Sequence, residues 1–430
     1  MASGSRGPAG GRVAVVGAGV VGTCTAWYLR RHGFEVEVIE RRDGVALETS
    51  WGNAGVIAPG YVTPWAAPGM PRKVLSYLFA AEAPVLFRPV ASGALVRWIG
   101  RWLRECELSR YRVNKARMQR LAVHSRDALH ALRAELGIDD GRRQGYLQLL
   151  RGERDLAMAG PARALLAENG VPHELLDADA TRAREPALSA ATPLAGALWL
   201  PQDESASCPD FTQALARAAA AAGVRFRFGA AVTRVLVEGG RVHGLALASG
   251  DGGAPRVDCD AVVVAGAVDA LPLLAEHGVR LPIWPVKGYS TTLPMADATL
   301  GPRHAMIDEA YKVAITPFPG RIRLAGTAEL GGPALVPRPE ALRTLVRVGR
   351  DWFPQAARWE DARCWVGARP MTPDGPALLG ATPVRGLFVN MGHGSTGWAM
   401  AAGSGQVVAD VVAGRPPAID LDGLTIERLR

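Results

Sequence analysis

Residues 13–40 read VAVVGAGVVGTCTAWYLRRHGFEVEVIE. The first four residues form a short, continuous apolar run, which is typical of a strand buried on both faces. A GxGxxG turn over residues 17–22 follows, and residues 23–32 then have the pattern of a helix that ends at Gly33. Residues 34–40 alternate polar and apolar side chains, which predicts a second strand that ends on an acid. The stretch therefore predicts a strand–turn–helix–strand unit that is complete within about 30 residues.

Each part of this unit suits the binding of a dinucleotide. Gly17 permits a tight turn, Gly19 lets the backbone approach a pyrophosphate, and Gly22 lets the helix pack closely on the strand. The free N–H groups and the dipole at the helix start favour phosphate groups. Glu40 can accept hydrogen bonds from an adenosine ribose, and its charge disfavours a 2′-phosphate although Arg41 follows it. The unit predicts dinucleotide binding and leaves FAD and NAD both open.

The composition indicates a globular protein with room for a cofactor. The chain has 430 residues, 48% of them hydrophobic and 21% charged, which predicts two or three lobes. The formal net charge is +8, but no run of five or six basic residues occurs, which argues against nucleic-acid binding. Five scattered cysteines lack zinc-ligand spacing, so we predict no metal site and reduced thiols in a cytoplasmic compartment. No apolar window reaches the roughly 20 residues of a transmembrane helix.

Two further segments are rich in small residues. Residues 48–55 read ETSWGNAG and come soon after the second predicted strand, so a backbone without bulk could lie there against a flat ring. Residues 386–390 have the pattern of a strand and run into MGHGSTGW at residues 391–398, after which an Ala/Gly-rich helix is predicted to about residue 414. A glycine-rich turn that feeds a helix start is again an arrangement that stabilises an anion.

These segments, in this order, resemble the FAD-dependent D-amino-acid oxidase superfamily. The resemblance also rests on PVKGYS at residues 285–290 and GARPMTPDG at residues 367–375, and it extends nearly from end to end. Within the superfamily the chain is similar to the bacterial dehydrogenases that pass electrons to the respiratory chain.

The resemblance implies an α/β fold with two domains. A discontinuous, Rossmann-like FAD-binding domain would comprise residues 1–60, 196–279 and 366–430. An α+β substrate domain, built on an antiparallel sheet, would comprise residues 61–195 and 280–365. The positions expected to bind FAD, without a covalent bond, are Val16, Gly17, Gly19, Val20, Val21, Gly22, Glu40, Arg41, Ser50, Asn53, Ala54, Gly55, Val232, Gly266, Gly392, His393, Gly394, Ser395, Thr396 and Gly397.

The resemblance also assigns residues to the substrate. Arg369 corresponds to the family's carboxylate-binding arginine, and a guanidinium can hold a carboxylate through two parallel hydrogen bonds. Tyr289 and Tyr311 could donate a further hydrogen bond to that carboxylate or cover the pocket, and core packing is the alternative for both. His393 is expected beside the flavin rather than as an acid–base catalyst. Lys287 is expected at an exposed strand position.

The implied activity is the oxidative deamination of D-amino acids, such as D-alanine, to 2-oxo acids and ammonia. The flavin would take a hydride, and a quinone or another respiratory-chain acceptor would receive the electrons. Two alternatives stay open. One is an oxidase or dehydrogenase of secondary amines such as sarcosine, D-proline or hydroxyproline, and the other is a non-catalytic flavoprotein subunit of a hetero-oligomer.

Residues 65–104 carry basic residues interleaved with aromatic and aliphatic ones. This pattern suits peripheral contact with an anionic membrane, and a helical pair that packs on the substrate domain is the alternative. The family favours the first interpretation, which would put the protein in the cytoplasm or peripherally on the cytoplasmic face of the inner membrane.

Overall fold

The computed structural model describes residues 10–77, 84–88, 90–248 and 255–429. The strands within these ranges are β1 Arg12–Val16, β2 Glu35–Ile39, β3 Val56–Ile57, β4 Val85–Phe87, β5 Arg143–Leu150, β6 Glu174–Asp177, β7 Gly196–Ser205, β8 Arg225–Arg227, β9 Val232–Glu238, β10 Arg241–Leu247, β11 Arg256–Asp258, β12 Ala261–Val264, β13 Trp284–Pro294, β14 Ala305–Asp308, β15 Val313–Phe318, β16 Arg321–Leu330, β17 Trp365–Met371, β18 Leu378–Ala381 and β19 Leu387–Met391. The α-helices are α1 Val20–Arg31, α2 Met70–Tyr77, α3 Gly93–Glu105, α4 Leu108–Leu136, α5 Glu153–Glu168, α6 Ala178–Arg184, α7 Cys208–Ala221, α8 Leu271–Ala275, α9 Pro339–Trp352 and α10 Gly397–Val412.

One sheet has six strands in the order β18-β19-β12-β1-β2-β8, and all pairs except β18–β19 are parallel. Helices α1, α4, α7 and α10 bury their apolar sides in one core on one face of this sheet. The three-stranded sheet β9-β10-β11 and helix α8 share a second core on the other face. The predicted α/β fold and its first βαβ unit are confirmed, with α1 beginning at Val20 because the glycine turn leads directly into the helix.

The second sheet has ten strands. Its main order is β17-β13-β16-β15-β14-β5-β7-β3, with β4 beside β16 and β6 beside β7. The sheet predicted to be antiparallel is in fact mixed, because β14 pairs with β5 and β16 pairs with β4 in parallel. Helix α9 covers one face of this sheet, and its core includes Leu345, Val348 and Trp352. The opposite face, called the boundary face below, lies toward the six-stranded sheet.

Three strands fall outside the predicted division of the chain. The residues of β3 and β7, and those of β17 from Val366 onward, were assigned to the FAD-binding domain, but all three strands hydrogen-bond into the ten-stranded sheet. At these strands the chain crosses from one sheet to the other, so residues of both sheets lie close together at the boundary between them.

Helices α2 and α3 pack on the boundary face of the ten-stranded sheet. Trp98 and Trp102 of α3 are buried in one cluster with Val286 and Met371. The described part of residues 65–104 therefore packs on the larger sheet, as one of the two interpretations of this segment expected, and residues 78–83 and 89 lie outside the described residues. Within the described ranges, no helix combines the length and the apolar character that a bilayer span requires.

Candidate functional site

The turn between β1 and α1 requires its glycines. Gly17 has φ +105°, and a Cβ there would lie 3.0 Å from the Cα of Gly266 at the end of β12. A Cβ on Gly22 would lie 1.9 Å from the carbonyl oxygen of Gly17, which no side chain tolerates. The turn is thus fixed in shape by contacts that only glycine allows, and the start of α1 opens toward Gly266.

The acid at the end of the second strand contacts the same turn. One Glu40 carboxylate oxygen accepts the N–H of Ala18 at 2.7 Å, and the other accepts the N–H of Arg42 at 2.9 Å. The Arg41 guanidinium pairs with Glu48 at 2.6 Å and with Asp269 at 2.5 Å. The Arg41 side chain therefore joins three loops around the cleft, and its charge is already balanced.

The segment at residues 48–55 is held against the start of α1 and against the larger sheet. The Ser50 hydroxyl accepts the N–H of Val20 at 3.1 Å. The Asn53 side-chain oxygen accepts the N–H of Gly55 at 2.8 Å. Gly55 has φ +81°, and a Cβ there would lie 2.6 Å from the Phe318 ring.

Sequence reasoning missed Arg323, a residue of β16 that holds the segment at residues 48–55 in place. Its buried guanidinium donates from Nη1 to the carbonyls of Trp51 at 2.8 Å and Asn53 at 2.7 Å. Burial lowers the pKa of Arg323 to about 10, and no carboxylate in the described ranges pairs with it. The sequence marks it only as one arginine in an alternating strand, because its two acceptors, the carbonyls of Trp51 and Asn53, lie about 270 residues earlier in the chain.

The second glycine turn connects β19 to α10. Gly392 and Gly394 have φ +79° and +58°, and Cβ atoms there would meet Thr372 at 2.8 Å and Met371 at 2.9 Å. His393 between them is buried, and its Nε2 lies 3.0 Å from the Ser404 hydroxyl. Burial lowers the pKa of His393 to about 4, so its ring is neutral at physiological pH.

A cleft with about 1320 Å³ of empty volume, including the solvent at its mouth, runs between these segments. Most predicted cofactor positions line it, namely Val16, Gly17, Gly19, Val20, Val21, Glu40, Arg41, Ser50, Asn53, Val232, Gly266, Gly392, His393, Gly394 and Gly397. The predicted positions that do not line it are Gly22, Ala54, Gly55, Ser395 and Thr396.

Two cleft residues that the sequence analysis omitted carry polar atoms without partners. The Asn390 side-chain oxygen and the Trp398 indole N–H are buried and form no hydrogen bond with any described residue. Buried polar atoms rarely stay unpaired, so both atoms fit an occupant of the cleft that offers hydrogen-bonding groups. Together with two helix starts and two glycine turns, the donor set fits an extended dinucleotide such as FAD.

Arg369 lies beside this cleft on the boundary face of β17. It pairs across the sheet with Val286, and its neighbour Pro370 lines the cleft. Burial lowers the pKa of Arg369 to about 10, and no Asp or Glu of the described residues pairs with it. Its Nη2 donates a hydrogen bond to the carbonyl of Gly326 at 3.4 Å. A desolvated cation without a counter-charge is a site for an anionic ligand.

The two candidate tyrosines lie on the other side of the sheet. Tyr289 is buried in the core beneath α9, and its hydroxyl donates to the Glu329 carboxylate. Tyr311 packs against the same core, and its ring lies 4.8 Å from the Arg151 guanidinium carbon. Side chains of neighbouring strand residues point to opposite faces, so Tyr289 points away from the face that carries Arg369. The prediction that Tyr289 contacts the substrate carboxylate is wrong, and the core-packing alternative is correct for it. For Tyr311, which lies in the turn between β14 and β15, the contact with this core agrees with the core-packing alternative.

The expectation for Lys287 is also wrong. Lys287 is 2% exposed, and its Nζ lies 2.5 Å from a carboxylate oxygen of Glu329. Cys364 is half-buried and packs against the core beneath α9, away from the cleft.

Comparisons with known proteins agree over nearly the whole chain. Residues 12–411 match a family model described as FAD dependent oxidoreductase. The chain is 47% identical to the D-amino acid dehydrogenase of Rhizorhabdus wittichii over 419 residues, which cover 97% of this chain and 100% of that protein. It is 48% identical to the D-amino acid dehydrogenase of Cereibacter sphaeroides, over 97% of this chain and 95% of that protein. The crystal structure of glycine oxidase from Geobacillus kaustophilus is similar with a TM-score of 0.74 and 25% identity, over 97% of this chain and 98% of that chain.

Proposed function

Because the chain belongs to the family of FAD-dependent oxidoreductases, we propose that it catalyses the oxidative deamination of D-amino acids. The reaction removes a hydride from the α-carbon and a proton from the amine, and water hydrolyses the resulting imino acid to a 2-oxo acid and ammonia. FAD, when bound in the cleft, supplies the acceptor for the hydride.

The observation that carries this proposal is the unpaired guanidinium of Arg369. An α-carboxylate is common to all amino acids, and it would supply the missing counter-charge through two parallel hydrogen bonds. Binding there would hold the α-carbon beside the cleft, and such positioning contributes a large part of the rate of a bimolecular reaction. The two relatives with 47% and 48% identity are named for D-amino acids, and this supports the choice of enantiomer.

The chain's own groups can stabilise negative charge at the α10 end of the cleft. His393 is neutral there because burial lowers its pKa to about 4, so it supplies neither a cation nor an acid at neutral pH. The N–H groups and the dipole at the start of α10, beginning at Gly397, remain to stabilise the charge.

An anaerobic screen of flavin reduction tests the proposal. The purified, FAD-loaded protein is mixed without oxygen with D-alanine, L-alanine, D-proline or sarcosine, and the flavin absorbance is recorded. We expect rapid bleaching by D-alanine and none by L-alanine. Bleaching by D-proline and sarcosine alone would favour the secondary-amine alternative, and no bleaching by any amine would favour the non-catalytic subunit.

We further propose that the electrons pass to a quinone and that the enzyme works peripherally on the cytoplasmic face of the inner membrane. Helix α3 supports the membrane contact, because Val96 and Leu103 are 68% and 48% exposed on one side of it. Arg97, Arg101 and Arg104 are exposed on the same helix. A mixed apolar and cationic helix face suits an anionic lipid surface.

Vesicle sedimentation tests this second proposal. We expect binding to phosphatidylglycerol vesicles that weakens with salt, and no binding to phosphatidylcholine vesicles. The combined change Arg97→Glu, Arg101→Glu and Arg104→Glu should abolish the binding. Arg217→Glu, at an exposed position on α7, is a control for charge reversal elsewhere on the surface and should leave the binding unchanged. Equal sedimentation of both proteins would contradict the membrane contact.

A further inference from the structure

Gly288 lies directly beneath the Arg369 side chain. A Cβ on Gly288 would come within 2.5 Å of Nη2 and 2.6 Å of Cζ of Arg369. Contacts of a Cβ below 3.0 Å are essentially never observed, so any side chain at this position must displace the guanidinium. The guanidinium therefore packs directly on the backbone of Gly288 in β13.

Trp65 lies near the same guanidinium. The centre of its indole ring is 5.9 Å from Cζ of Arg369, within the range of a cation–π interaction. Trp65 is packed against the cluster that also contains Trp98 and Met371, so its position is set by the α3 side of the sheet. The ring contributes attraction and does not use any of the N–H groups of the guanidinium.

A β-bulge in β16 provides the third contact. Residues 288 and 289 of β13 pair with Ala328 and Gly326, so Thr327 is the extra residue between them. Thr327 has φ +41°, an uncommon value for a β-branched residue and one that the surrounding sheet must stabilise. The Gly326 carbonyl beside the bulge accepts one N–H of Arg369, which leaves four of its five donors for a ligand.

We propose that Gly288 and Trp65 are positioning residues for Arg369, holding its guanidinium flat and at a fixed depth so that its free donors meet an α-carboxylate. This inference rests on the proposed function, because the ligand it concerns is the amino-acid carboxylate. Neither residue touches the reacting atoms in this account, and both act through Arg369. The sheet supplies this geometry through its register, because the pairing of Val286 with Arg369 places Gly288, two residues further along β13, on the same face as Arg369.

Four variants of the FAD-loaded enzyme test the inference: Gly288→Ala, Trp65→Ala, Trp65→Phe and Gly367→Ala. Gly367 pairs with Gly288 in the same sheet, and a Cβ there would meet the Trp365 ring at 2.1 Å rather than Arg369. The readouts are the KM and kcat for D-alanine, the FAD content, and the Kd of propanoate, a carboxylate without an amine, measured from the flavin spectrum.

We expect Gly288→Ala to raise both the KM for D-alanine and the propanoate Kd by roughly 10- to 100-fold, because a misplacement of about 1 Å can cost that much. FAD content should stay at the wild-type level. Trp65→Ala should raise both constants and Trp65→Phe should restore them, which keeps the test decisive if Gly288→Ala fails to fold. Gly367→Ala should leave the propanoate Kd of the FAD-loaded fraction within about twofold of the wild-type value.

Unchanged constants in FAD-loaded Gly288→Ala and Trp65→Ala would overturn the inference. An equal rise in Gly367→Ala would also overturn it, because the effect would then belong to the sheet and not to Arg369. Failure of the proposed function has a different signature, namely a wild-type enzyme that binds propanoate and oxidises no D-amino acid.

Discussion

The Glu40 carboxylate accepts a hydrogen bond of 2.7 Å from the backbone N–H of Ala18, 22 residues earlier in the chain. This bond joins the end of β2 to the glycine turn that follows β1, and both segments line the cleft. Glu40 therefore fixes the turn and also lines the cleft that we propose to hold FAD. Its position in the cleft distinguishes Glu40 from residues that only stabilise the fold.

We expect Glu40→Ala to weaken FAD binding by roughly 10- to 100-fold, because a hydrogen bond to a charged group contributes about 1.5–3 kcal/mol. Glu40→Gln keeps an oxygen acceptor without the charge and should lie between Glu40→Ala and the wild type. Fluorescence titration of the apoprotein with FAD measures both effects. Equal FAD affinity in the wild type and in Glu40→Ala would remove Glu40 from the cofactor site.

The pH dependence of stability should report the burial of His393. Its pKa is about 4 in the folded protein and 6.5 ordinarily, so the unfolded state binds more protons between these values. The free energy of unfolding should therefore decrease as the pH falls from 6.5 toward 4. This residue should account for about 2–3 kcal/mol of the decrease between pH 7 and pH 4.5. Urea unfolding at pH 7 and pH 4.5 should show a smaller decrease for His393→Asn than for the wild type. An identical decrease in the two proteins would contradict the assigned neutral state.

Arg323→Met should loosen the segment that lines the cleft at Ser50 and Asn53. The change leaves the carbonyls of Trp51 and Asn53 without their donor, and each unpaired buried group costs about 1–3 kcal/mol. We expect the free energy of unfolding to fall by about 2–4 kcal/mol and hydrogen exchange to accelerate at residues 51–55. Arg321→Met on the same strand is the control, because its ion pair with Asp210 is exposed and contributes less than about 1 kcal/mol. Equal losses in the two variants would contradict the role of Arg323.

Lys287→Met should be strongly destabilising although the new side chain is apolar. It leaves the buried Glu329 carboxylate without its closest cation, and breaking such a pair typically costs about 3–5 kcal/mol. The double variant Lys287→Met with Glu329→Gln should recover part of this loss, because the buried group at 329 is then neutral and Arg338, its second partner at 3.5 Å, is partly exposed to solvent. Chemical unfolding of the three proteins checks the prediction, and a double variant less stable than Lys287→Met would refute it.

The local parts of the fold were predictable from the sequence. The first βαβ unit is encoded by residues that are close in the chain, so periodicity and glycine spacing are sufficient to predict it. The hairpin of β9 and β10 is a second example, because Gly239 and Gly240 lie at its turn with φ +56° and +74°. The parallel pair of β14 and β5 was not predictable, since it joins residues more than 150 positions apart.

The errors in the site have the same physical origin. Tyr289 follows Gly288 directly, and which of the two shares a face with Arg369 depends on the register between β13 and β17. Lys287 is buried because Glu329 arrives from another strand, which no local pattern reveals. Asn390 carried a signal that could have been used, because it is a polar residue at the end of a buried strand, two positions before Gly392.

The central claim is that Arg369 binds the carboxylate of an amine substrate beside the flavin. Its most direct test is the anaerobic reduction of FAD-loaded Arg369→Ala and Arg369→Lys by D-alanine, followed by stopped-flow absorbance. The account predicts that FAD content is unchanged, that kred/Kd falls by at least about 100-fold in Arg369→Ala, and that Arg369→Lys recovers only part of it, because an ammonium lacks the planar fork. Reduction of Arg369→Ala at the wild-type rate and D-alanine concentration would contradict the account.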